Sequence, residues 1–237
     1  MKKIKFRYQP QCWSEERNLT WLLVALILDM FIIDPLVGVL TRGIAASVIN
    51  SLAFAVVLLL GLLTLTQHKV TQIIFAGITV LIISVRFARF VFGENWMAVW
   101  DILLSIMSLT TFVIVLLIYV YQEGPVTRHR IRGAIAAYLL IALVWAFGYL
   151  LIEFLIPGAF HFPEKLPRID SLGLLRTFYY FSISTLTTLG YGDVTPVHLF
   201  ARNLAMMEAL IGQLYPAILI ARLVTLYVAT GRTNKDN

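Results

Sequence analysis

The sequence predicts an all-α integral membrane protein with six transmembrane helices. Of its 237 residues, 59% are hydrophobic and only 14% are charged, and the mean hydropathy is +0.84. A water-soluble domain typically carries about 25% charged residues. A stretch of about 20 apolar residues is long enough to cross the hydrocarbon core of a bilayer. Six such stretches follow one another along the chain, at residues 19–41, 44–66, 70–92, 96–121, 131–156 and 198–229.

The first 18 residues are polar and basic, and we assign them to the cytoplasm. They carry Lys2, Lys3, Lys5 and Arg7, and the distribution of Lys and Arg sets the orientation of a membrane protein. The apolar stretch that follows is too long for a signal peptide and has no obvious small-residue cleavage site, so we expect it to be retained. The lone cysteine, Cys12, excludes an internal disulfide and a cysteine-built metal site.

Six spans return the C-terminus to the cytoplasm. The segments that then face the cytoplasm are residues 67–69, 128–132 and the tail with Arg232 and Lys235, and all carry positive charge. Arg42, between the first two spans, is a minor exception. The expected localisation is a plasma membrane, or the inner membrane of a bacterial cell. The net charge of +6 needs no nucleic-acid partner, because basic cytoplasmic edges beside anionic lipid account for it.

Charged residues also lie inside the first four predicted spans. Asp29 and Asp34 are in the first span, Arg86 and Arg89 in the third, and Asp101 in the fourth. Ionisable groups within a bilayer are costly and are usually paired. We therefore expect structural ion pairs inside the helix bundle, in which Arg86 meets Asp29 or Asp101. A small sensor whose third span moves is the alternative interpretation.

A different pattern separates the fifth span from the sixth. The fifth span ends near Glu153, and a loop rich in proline and charge follows. Residues 172–187 then predict a helix too short to span a membrane, and it leads into Thr187-Thr188-Leu189-Gly190-Tyr191-Gly192-Asp193. Non-helical backbone at membrane depth is tolerated only where it is buried in protein or lines a pore. The two glycines of this run permit backbone angles that residues with a side chain rarely adopt.

This run resembles the selectivity filter of tetrameric potassium channels. The resemblance covers roughly residues 131–229 and implies a re-entrant pore helix and a homotetramer around a central pore, because one filter strand per chain cannot close a four-sided filter. It also implies that K+ is the permeant ion and that no cofactor is needed. The residues implied to coordinate K+ are Thr188, Leu189, Gly190, Tyr191 and Gly192.

The resemblance further implies a set of supporting residues around the filter, namely Asp193, Tyr180, Phe181, Ser184, Thr187 and Glu153. Many family members carry two tryptophans where this chain has Tyr180 and Phe181, and some bury a glutamate at the position of Ser184. Tyr180 keeps a hydroxyl that can reach Asp193, whereas Phe181 has no donor. We therefore expect a weaker hydrogen-bond network behind the filter, and easier inactivation or loss of selectivity at low potassium. In related voltage-gated channels, a glutamate at the position of Glu153 bonds the loop after the filter.

Gly212 and Pro216 mark the sixth span as a candidate gate. Glycine offers little resistance to bending and proline removes a backbone hydrogen bond, so a kink is expected here. Gly212 also falls where family members place a gating hinge. The plainer explanation is that membrane helices carry Gly and Pro more often than soluble helices do. Glu208 lies one turn earlier, and the sequence leaves open whether it faces the pore or the back of the short helix.

The four helices before the pore region resemble the layout of a voltage-sensor domain without its arginine array. Each elementary charge that crosses the field is worth about 2.3 kcal/mol per 100 mV, and the fourth span carries only Asp101. We therefore predict weak or absent voltage dependence. The expected domain organisation is a cytoplasmic N-terminus at 1–18, the sensor-like domain at 19–122, a cytoplasmic linker at 123–132, the pore domain at 133–230 and a tail at 231–237.

The predicted function is passive, potassium-selective conduction, with membrane lipid and further copies of the chain as partners. A channel that does not discriminate potassium from sodium is the nearest alternative. A potassium-uptake transporter usually carries four such repeats on one chain, and a non-conducting scaffold would not need a complete filter. Nothing in the sequence supports an enzyme, because it contains no recognisable catalytic constellation. The gating stimulus is left open.

Overall fold

The computed structural model describes residues 12–40, 44–64, 69–92, 95–121, 127–163 and 171–233. Helices account for nearly all of the described chain, as the all-α prediction requires. The helices are α1 (Cys12–Leu28), α2 (Asp34–Leu40), α3 (Ile44–Thr64), α4 (Lys69–Phe92), α5 (Asn95–Tyr121), α6 (Arg128–Leu155), α7 (Ser171–Leu186) and α8 (Leu199–Thr233), with two short strands, β1 (Phe160–His161) and β2 (Thr195–Pro196).

Some predictions fall on positions outside the described residues. These are the basic cluster at 1–11, Arg42, residues 67 and 68, part of the predicted linker, part of the outer loop, and Lys235 in the tail. The side chains of Cys12 and Arg89 are likewise outside the described set. The expectations attached to them remain predictions.

Four helical segments among the described residues are long and apolar enough to cross a membrane. They are Leu19–Leu40, Trp96–Tyr121, Arg128–Leu155 and Leu199–Thr225. Shorter apolar stretches, Val48–Gly61 and Ala76–Arg86, lie within α3 and α4. Since α3 and α4 have 21 and 24 residues, a rise of about 1.5 Å per residue makes both roughly as long as a bilayer core is thick. The count of six spans stays a prediction.

The first span departs from a regular α-helix at its centre. A π-helical turn, Asp29–Ile33, joins α1 to α2 and ends two residues before Pro35, which cannot donate a backbone hydrogen bond. A π-turn absorbs such an interruption within a continuous helix. It leaves Asp34 at the start of α2, where the carboxylate accepts hydrogen bonds from Asn50 Nδ2 of α3 at 3.0 Å and from Arg176 Nε of α7 at 2.8 Å.

The buried core extends from α1, α3 and α5 across α6 to α7. Leu22, Leu58, Phe112, Leu143 and Phe178 are representative members, each with an exposed fraction of 1% or less. Half of the apolar window in α6 is buried, whereas only 11% of the window in α8 is. Helix α6 is therefore the central element of a single chain, and α8 lies at its edge.

The predicted ion pair among the first four spans is confirmed for Arg86. Its Nε lies 2.9 Å from Asp101 Oδ1, and its Nη2 lies 3.3 Å from Ser105 Oγ. The guanidinium carbon also lies 4.2 Å from the centre of the Phe54 ring, within the range of a cation–π contact. Of the two acidic partners expected for Arg86, the structure selects Asp101.

Helix α6 begins three residues before its predicted start. The Thr127 hydroxyl accepts a hydrogen bond from the backbone N–H of Arg130 at 3.4 Å, which is the usual action of a threonine N-cap. Arg132 then donates from Nη1 to Thr20 Oγ1 at 2.7 Å. The basic segment expected to be a linker is thus partly helical and is tied to α1.

A short antiparallel strand pair connects the two ends of the region between α6 and α8. Residues Phe160–His161 pair with Thr195–Pro196. The Ala159 carbonyl also accepts hydrogen bonds from the backbone N–H groups of Val197 at 2.8 Å and His198 at 3.1 Å. The sequence did not predict these strands, because two residues are too few to show an alternating pattern.

Candidate functional site

The segment of residues 187–193 follows the end of α7 and leads into β2. Every one of its seven residues is exposed in a single chain. This holds even for the large apolar side chains, since Leu189 is 58% exposed and Tyr191 is 65% exposed. Large apolar side chains that are exposed in this way mark a surface against which another surface packs.

The backbone of this segment turns left-handed at every second residue. Thr188, Gly190 and Gly192 have φ angles of +59°, +58° and +79°. Glycine adopts such angles readily, but a β-branched residue such as threonine rarely does. A rare conformation at Thr188 persists only where the surrounding structure imposes it, and such positions cluster at functional sites.

Ser184, near the end of α7, holds this backbone in place. Its carbonyl oxygen accepts hydrogen bonds from the N–H groups of Leu189 at 2.8 Å and Gly190 at 3.2 Å. Its hydroxyl accepts from the N–H of Tyr191 at 3.4 Å. Ser184, which the sequence placed among the supporting residues, is thus a hydrogen-bond acceptor for the segment through both its carbonyl and its hydroxyl oxygen.

Thr187 belongs to the end of the helix more than to the segment. Its N–H donates to the Ile183 carbonyl at 3.0 Å and its hydroxyl donates to the same oxygen at 2.7 Å. The next N–H, that of Thr188, donates to the Thr185 carbonyl at 2.9 Å. The last turn of α7 therefore stays closed, and the left-handed residues begin immediately after it.

Tyr180 reaches the segment from the side. Its ring stacks on that of Tyr191 with centroids 5.8 Å apart and planes 9° apart. The Asp193 carboxylate, which accepts a hydrogen bond from the N–H of Val194 at 3.0 Å, lies near the Tyr180 hydroxyl. The structure thus brings Tyr180, Tyr191 and Asp193 together within one chain.

Phe181 faces the opposite direction, into an aromatic cluster. It is 8% exposed, and its ring lies 5.0 Å from the Tyr149 centroid and 5.7 Å from the Phe160 centroid in edge-to-face geometry. Phe178 packs on Phe160 at 4.8 Å. Phe181 therefore anchors α7 to α6 and β1 by apolar packing. Its edge-to-face contacts are of the kind that stabilises buried aromatic pairs.

Glu153 contacts a different loop from the one expected. Its carboxylate accepts hydrogen bonds from the N–H of Gly158 at 2.8 Å and of Phe160 at 3.1 Å. Gly158 lies in the loop directly after its own helix and Phe160 begins β1, so neither group belongs to the loop after residues 187–193. Because β1 pairs with β2, Glu153 reaches that second loop only indirectly, through the strand pair.

Gly212 lies where α8 crosses the end of α7. A Cβ atom at this position would lie 1.9 Å from the Leu186 carbonyl oxygen and 2.7 Å from its carbonyl carbon. The same Leu186 oxygen accepts a hydrogen bond from the Tyr138 hydroxyl at 3.1 Å. Only a residue without a side chain fits here. Helix α8 continues without interruption through Gly212 and Pro216.

Glu208 faces the back of α7, the alternative that the sequence left open. It is fully buried, and its carboxyl group contacts the hydroxyls of Tyr149 on α6 and Ser182 on α7. Tyr215, two turns later on α8, donates from its hydroxyl to the Ala134 carbonyl at 2.8 Å. Polar side chains therefore fasten α8 to α6 and α7 on its buried face.

Arg176 is a residue of this region that the sequence analysis missed. It is the one charged residue in α7, and its Nε lies 2.8 Å from Asp34 Oδ1. A Cβ at Gly38 of α2 would lie 2.8 Å from Arg176 Nη1, so the glycine makes room for the guanidinium. A single charge in a short, otherwise apolar helix was the available signal, because such a charge requires a partner.

Comparison with known proteins finds similarity over the C-terminal part of the chain. Residues 137–229 match a family model described as an ion channel. Protein LctB of Bacillus caldotenax is 36% identical over 87 residues, which are 37% of this chain and 64% of that protein. Protein LctB of Geobacillus stearothermophilus is 45% identical over 55 residues, which are 23% of this chain and 40% of that protein. No solved structure matches the chain.

The matched region covers less than two thirds of the length of either relative. The match to the family model begins within α6 and runs through α7, the 187–193 segment and most of α8. These are the elements that build the site described above. The apolar helices indicate a membrane protein, and residues 137–229 are similar to an ion channel family.

Proposed function

We propose that four copies of this chain form a potassium-selective channel, with residues 188–192 as its filter. The observation that carries the proposal is the left-handed backbone at Thr188, Gly190 and Gly192. In an ordinary extended strand, successive carbonyl groups point in opposite directions. A left-handed residue at every second position can turn successive carbonyls to the same side, where they replace the water shell of a potassium ion.

The end of α7 supports cation binding at this place. Its C-terminal turn ends at Leu186, immediately before the segment. The partial negative charge at the C-terminus of a helix favours a nearby cation. Ser184 in this same turn fixes the centre of the segment by accepting hydrogen bonds from three backbone N–H groups, those of Leu189, Gly190 and Tyr191. The short helix then acts as a pore helix that both positions the filter and favours its ion.

The exposed surface of a single chain supports a tetramer. All of residues 187–193 are uncovered, and only 11% of the apolar window in α8 is buried. Large apolar side chains on α8 are exposed beside them: Met206, Met207, Leu210, Leu214 and Ile218. One strand cannot surround an ion, so the conduction site is incomplete without further copies. A closed fourfold ring covers this surface around a central axis.

Conduction through a filter that does not discriminate between potassium and sodium is the second candidate. One observation favours it. Phe181 is buried among aromatic rings and has no hydrogen-bond donor to offer the filter. The hydrogen-bond support of the filter then rests on Ser184, while Tyr180 contributes the stacking of its ring on Tyr191. Both candidates use the same site and differ only in how rigidly its carbonyl groups are held.

The test is a bi-ionic reversal potential, recorded from the purified protein in liposomes with potassium on one side and sodium on the other. A reversal near the potassium equilibrium potential is expected. A reversal near zero with measurable current would support the non-selective candidate. If a purified tetramer gave no current across a range of pH, membrane tension and lipid composition, the channel proposal would be overturned.

A pair of glycine variants serves as the matched control. Gly190 and Gly158 both have positive φ angles, and neither has a neighbour within 4 Å of an added Cβ. Gly190→Ala should abolish potassium-selective current, whereas Gly158→Ala, in the outer loop, should retain the reversal potential of the unmodified protein. Equal effects of the two substitutions would show that general backbone strain, and not the filter, determines the current.

A further inference from the structure

Three hydroxyl or carboxyl side chains meet in a closed polar cluster between α6, α7 and α8. Glu208, Tyr149 and Ser182 are each 0% exposed. Within the described residues, Glu208 has hydroxyl groups as its hydrogen-bond partners and no cation. Removing an ionised carboxylate from water without a cation is very unfavourable, so the group usually becomes neutral instead.

The hydrogen-bond partners in this cluster can be counted. The Tyr149 hydroxyl contacts Glu208 Oε2, and Ser182 Oγ contacts Glu208 Oε1. Ser182 Oγ also lies 2.8 Å from the Ala142 carbonyl oxygen. There are thus three close oxygen–oxygen contacts, and each needs one hydrogen atom between its two oxygens.

An ionised Glu208 leaves the cluster one hydrogen short. Tyr149 and Ser182 each supply one O–H donor, and a carbonyl or carboxylate oxygen supplies none. If Ser182 donates to Ala142, two lone pairs face each other between Ser182 and Glu208. If Ser182 donates to Glu208, the same conflict arises at the Ala142 carbonyl. A protonated Glu208 supplies the missing hydrogen and satisfies all three contacts.

We infer that Glu208 is held in its protonated form and donates a hydrogen bond from Oε1 to Ser182 Oγ, as a positioning residue for helix α7. Ser182 in turn donates to the Ala142 carbonyl, and Tyr149 donates to Glu208 Oε2. This arrangement forms a continuous chain of donors from α8 through α7 to α6. Buried polar networks of this kind rigidify a core when every member is satisfied.

The placement of the cluster explains what it positions. Ser182 lies two residues before Ser184, which anchors the 187–193 segment, and Gly212 lies one turn after Glu208, where α8 touches Leu186. Helix α7 is thus fixed at two points along its length against α8. The consequence for ion selectivity rests on the proposed channel function, whereas the protonation state of Glu208 does not.

Infrared difference spectroscopy tests the protonation state directly. The spectrum of the full-length protein minus that of Glu208→Gln, both in lipid at neutral pH, should contain the carbonyl stretch of a protonated carboxylic acid. That band should shift on exchange into heavy water if the site exchanges, and should be absent from the variant. A difference spectrum that shows carboxylate bands instead would overturn the inference. Neither result depends on whether the protein conducts.

A matched set of variants provides the second readout, the midpoint of thermal unfolding in lipid. Gln has the shape of protonated Glu, and its amide can donate to Ser182 and accept from Tyr149, so Glu208→Gln should stay close to the unmodified protein. Glu208→Ala leaves the buried Tyr149 hydroxyl without an acceptor and the Ser182 oxygen without a donor, and should lower the midpoint by roughly 5 °C. If Gln destabilised as much as Ala, the cluster would require a carboxylate and the inference would fail.

Discussion

At the scale of single residues, position 212 shows how a close approach between helices restricts the choice of amino acid. The sequence offered a hinge as the reason for a glycine in the sixth span. The structure supplies a steric reason, because the backbone of Leu186 occupies the space of a side chain. The obstacle is a carbonyl group and not the flexible end of a side chain, so it cannot turn away.

Gly212→Ala should therefore destabilise the protein by about 2 kcal/mol or more, the usual penalty for inserting atoms into a packed core. The measurement is thermal unfolding in lipid, together with the fraction of protein that remains assembled. Gly148→Ala is the matched control, because an added Cβ in α6 would meet only Leu204 Cδ2, at an ordinary distance of 3.6 Å. Equal stability of both variants would refute the steric explanation.

Tyr180 offers a second residue-scale prediction, on the stability of the proposed filter at low potassium. Tyr180→Phe keeps the ring that stacks on Tyr191 and removes the hydroxyl, which lies near the Asp193 carboxylate and is expected to donate to it. One hydrogen bond is worth about 1 kcal/mol, so the current should decay about fivefold faster after external potassium is lowered.

The current decay after a potassium step provides the measurement for Tyr180. Tyr180→Ala, which loses the ring as well, should decay faster still. A decay in Tyr180→Phe at the rate of the unmodified protein would mean that the contact with Asp193 does not support the filter.

At the scale of elements, the short helix α7 is held by neighbours on several sides. Its aromatic residues pack on α6 and β1, Ser182 meets Glu208 of α8, and Arg176 pairs with Asp34 of α2. The last contact connects the first span directly to the helix that positions the 187–193 segment. This ion pair is therefore the contact to test for energetic coupling between α2 and α7.

A double-mutant cycle measures this connection. Asp34→Ala and Arg176→Ala should each cost up to about 3 kcal/mol, because removing one partner leaves a poorly solvated charge, although 13% and 22% of the two side chains remain exposed. The double variant should recover about 1 kcal/mol or more relative to the sum. Thermal unfolding in lipid is the readout. Asp101→Ala combined with Arg176→Ala is the control, and its two effects should simply add. Strict additivity for Asp34→Ala combined with Arg176→Ala would show that the ion pair contributes nothing.

At the scale of the whole molecule, the four-helix region before α6 lacks the charges of a voltage sensor. Helix α5 contains a single charged residue, Asp101, and Arg86 neutralises it from α4 at 2.9 Å. The packing of Arg86 on Phe54 and beside Ser105 makes this pair part of the bundle core. The region therefore has few charges to move when the membrane potential changes.

The conductance of the assembled protein should accordingly depend weakly on voltage, with a slope equivalent to about one elementary charge per chain or fewer. Conductance–voltage curves in planar bilayers provide the measurement. Arg86→Gln tests the alternative of a mobile third span, and it should leave the slope unchanged. A steep curve, or a slope that Arg86→Gln reduces, would show that this region senses voltage.

The sequence by itself determined the features that depend on local pattern. Hydropathy located the long helices to within a few residues, except at α1, which begins at Cys12, seven residues before the predicted start. Glycine spacing located the 187–193 segment, and the charge pattern anticipated the pair between Arg86 and an acidic residue. These properties are written in neighbouring residues, because a helix repeats every 3.6 residues and a span must match the bilayer thickness.

The tertiary structure alone decided which distant residues meet. Asp34 and Arg176 are 142 positions apart, and Tyr149 and Glu208 are 59 apart, so no local pattern could pair them. Folding also directed Glu153 to the loop before β1, turned Ser184 towards Tyr191, and placed Gly212 against Leu186. Each outcome depends on how helices pack across the core. The sequence therefore identified the 187–193 segment, whereas packing determined what holds it in position.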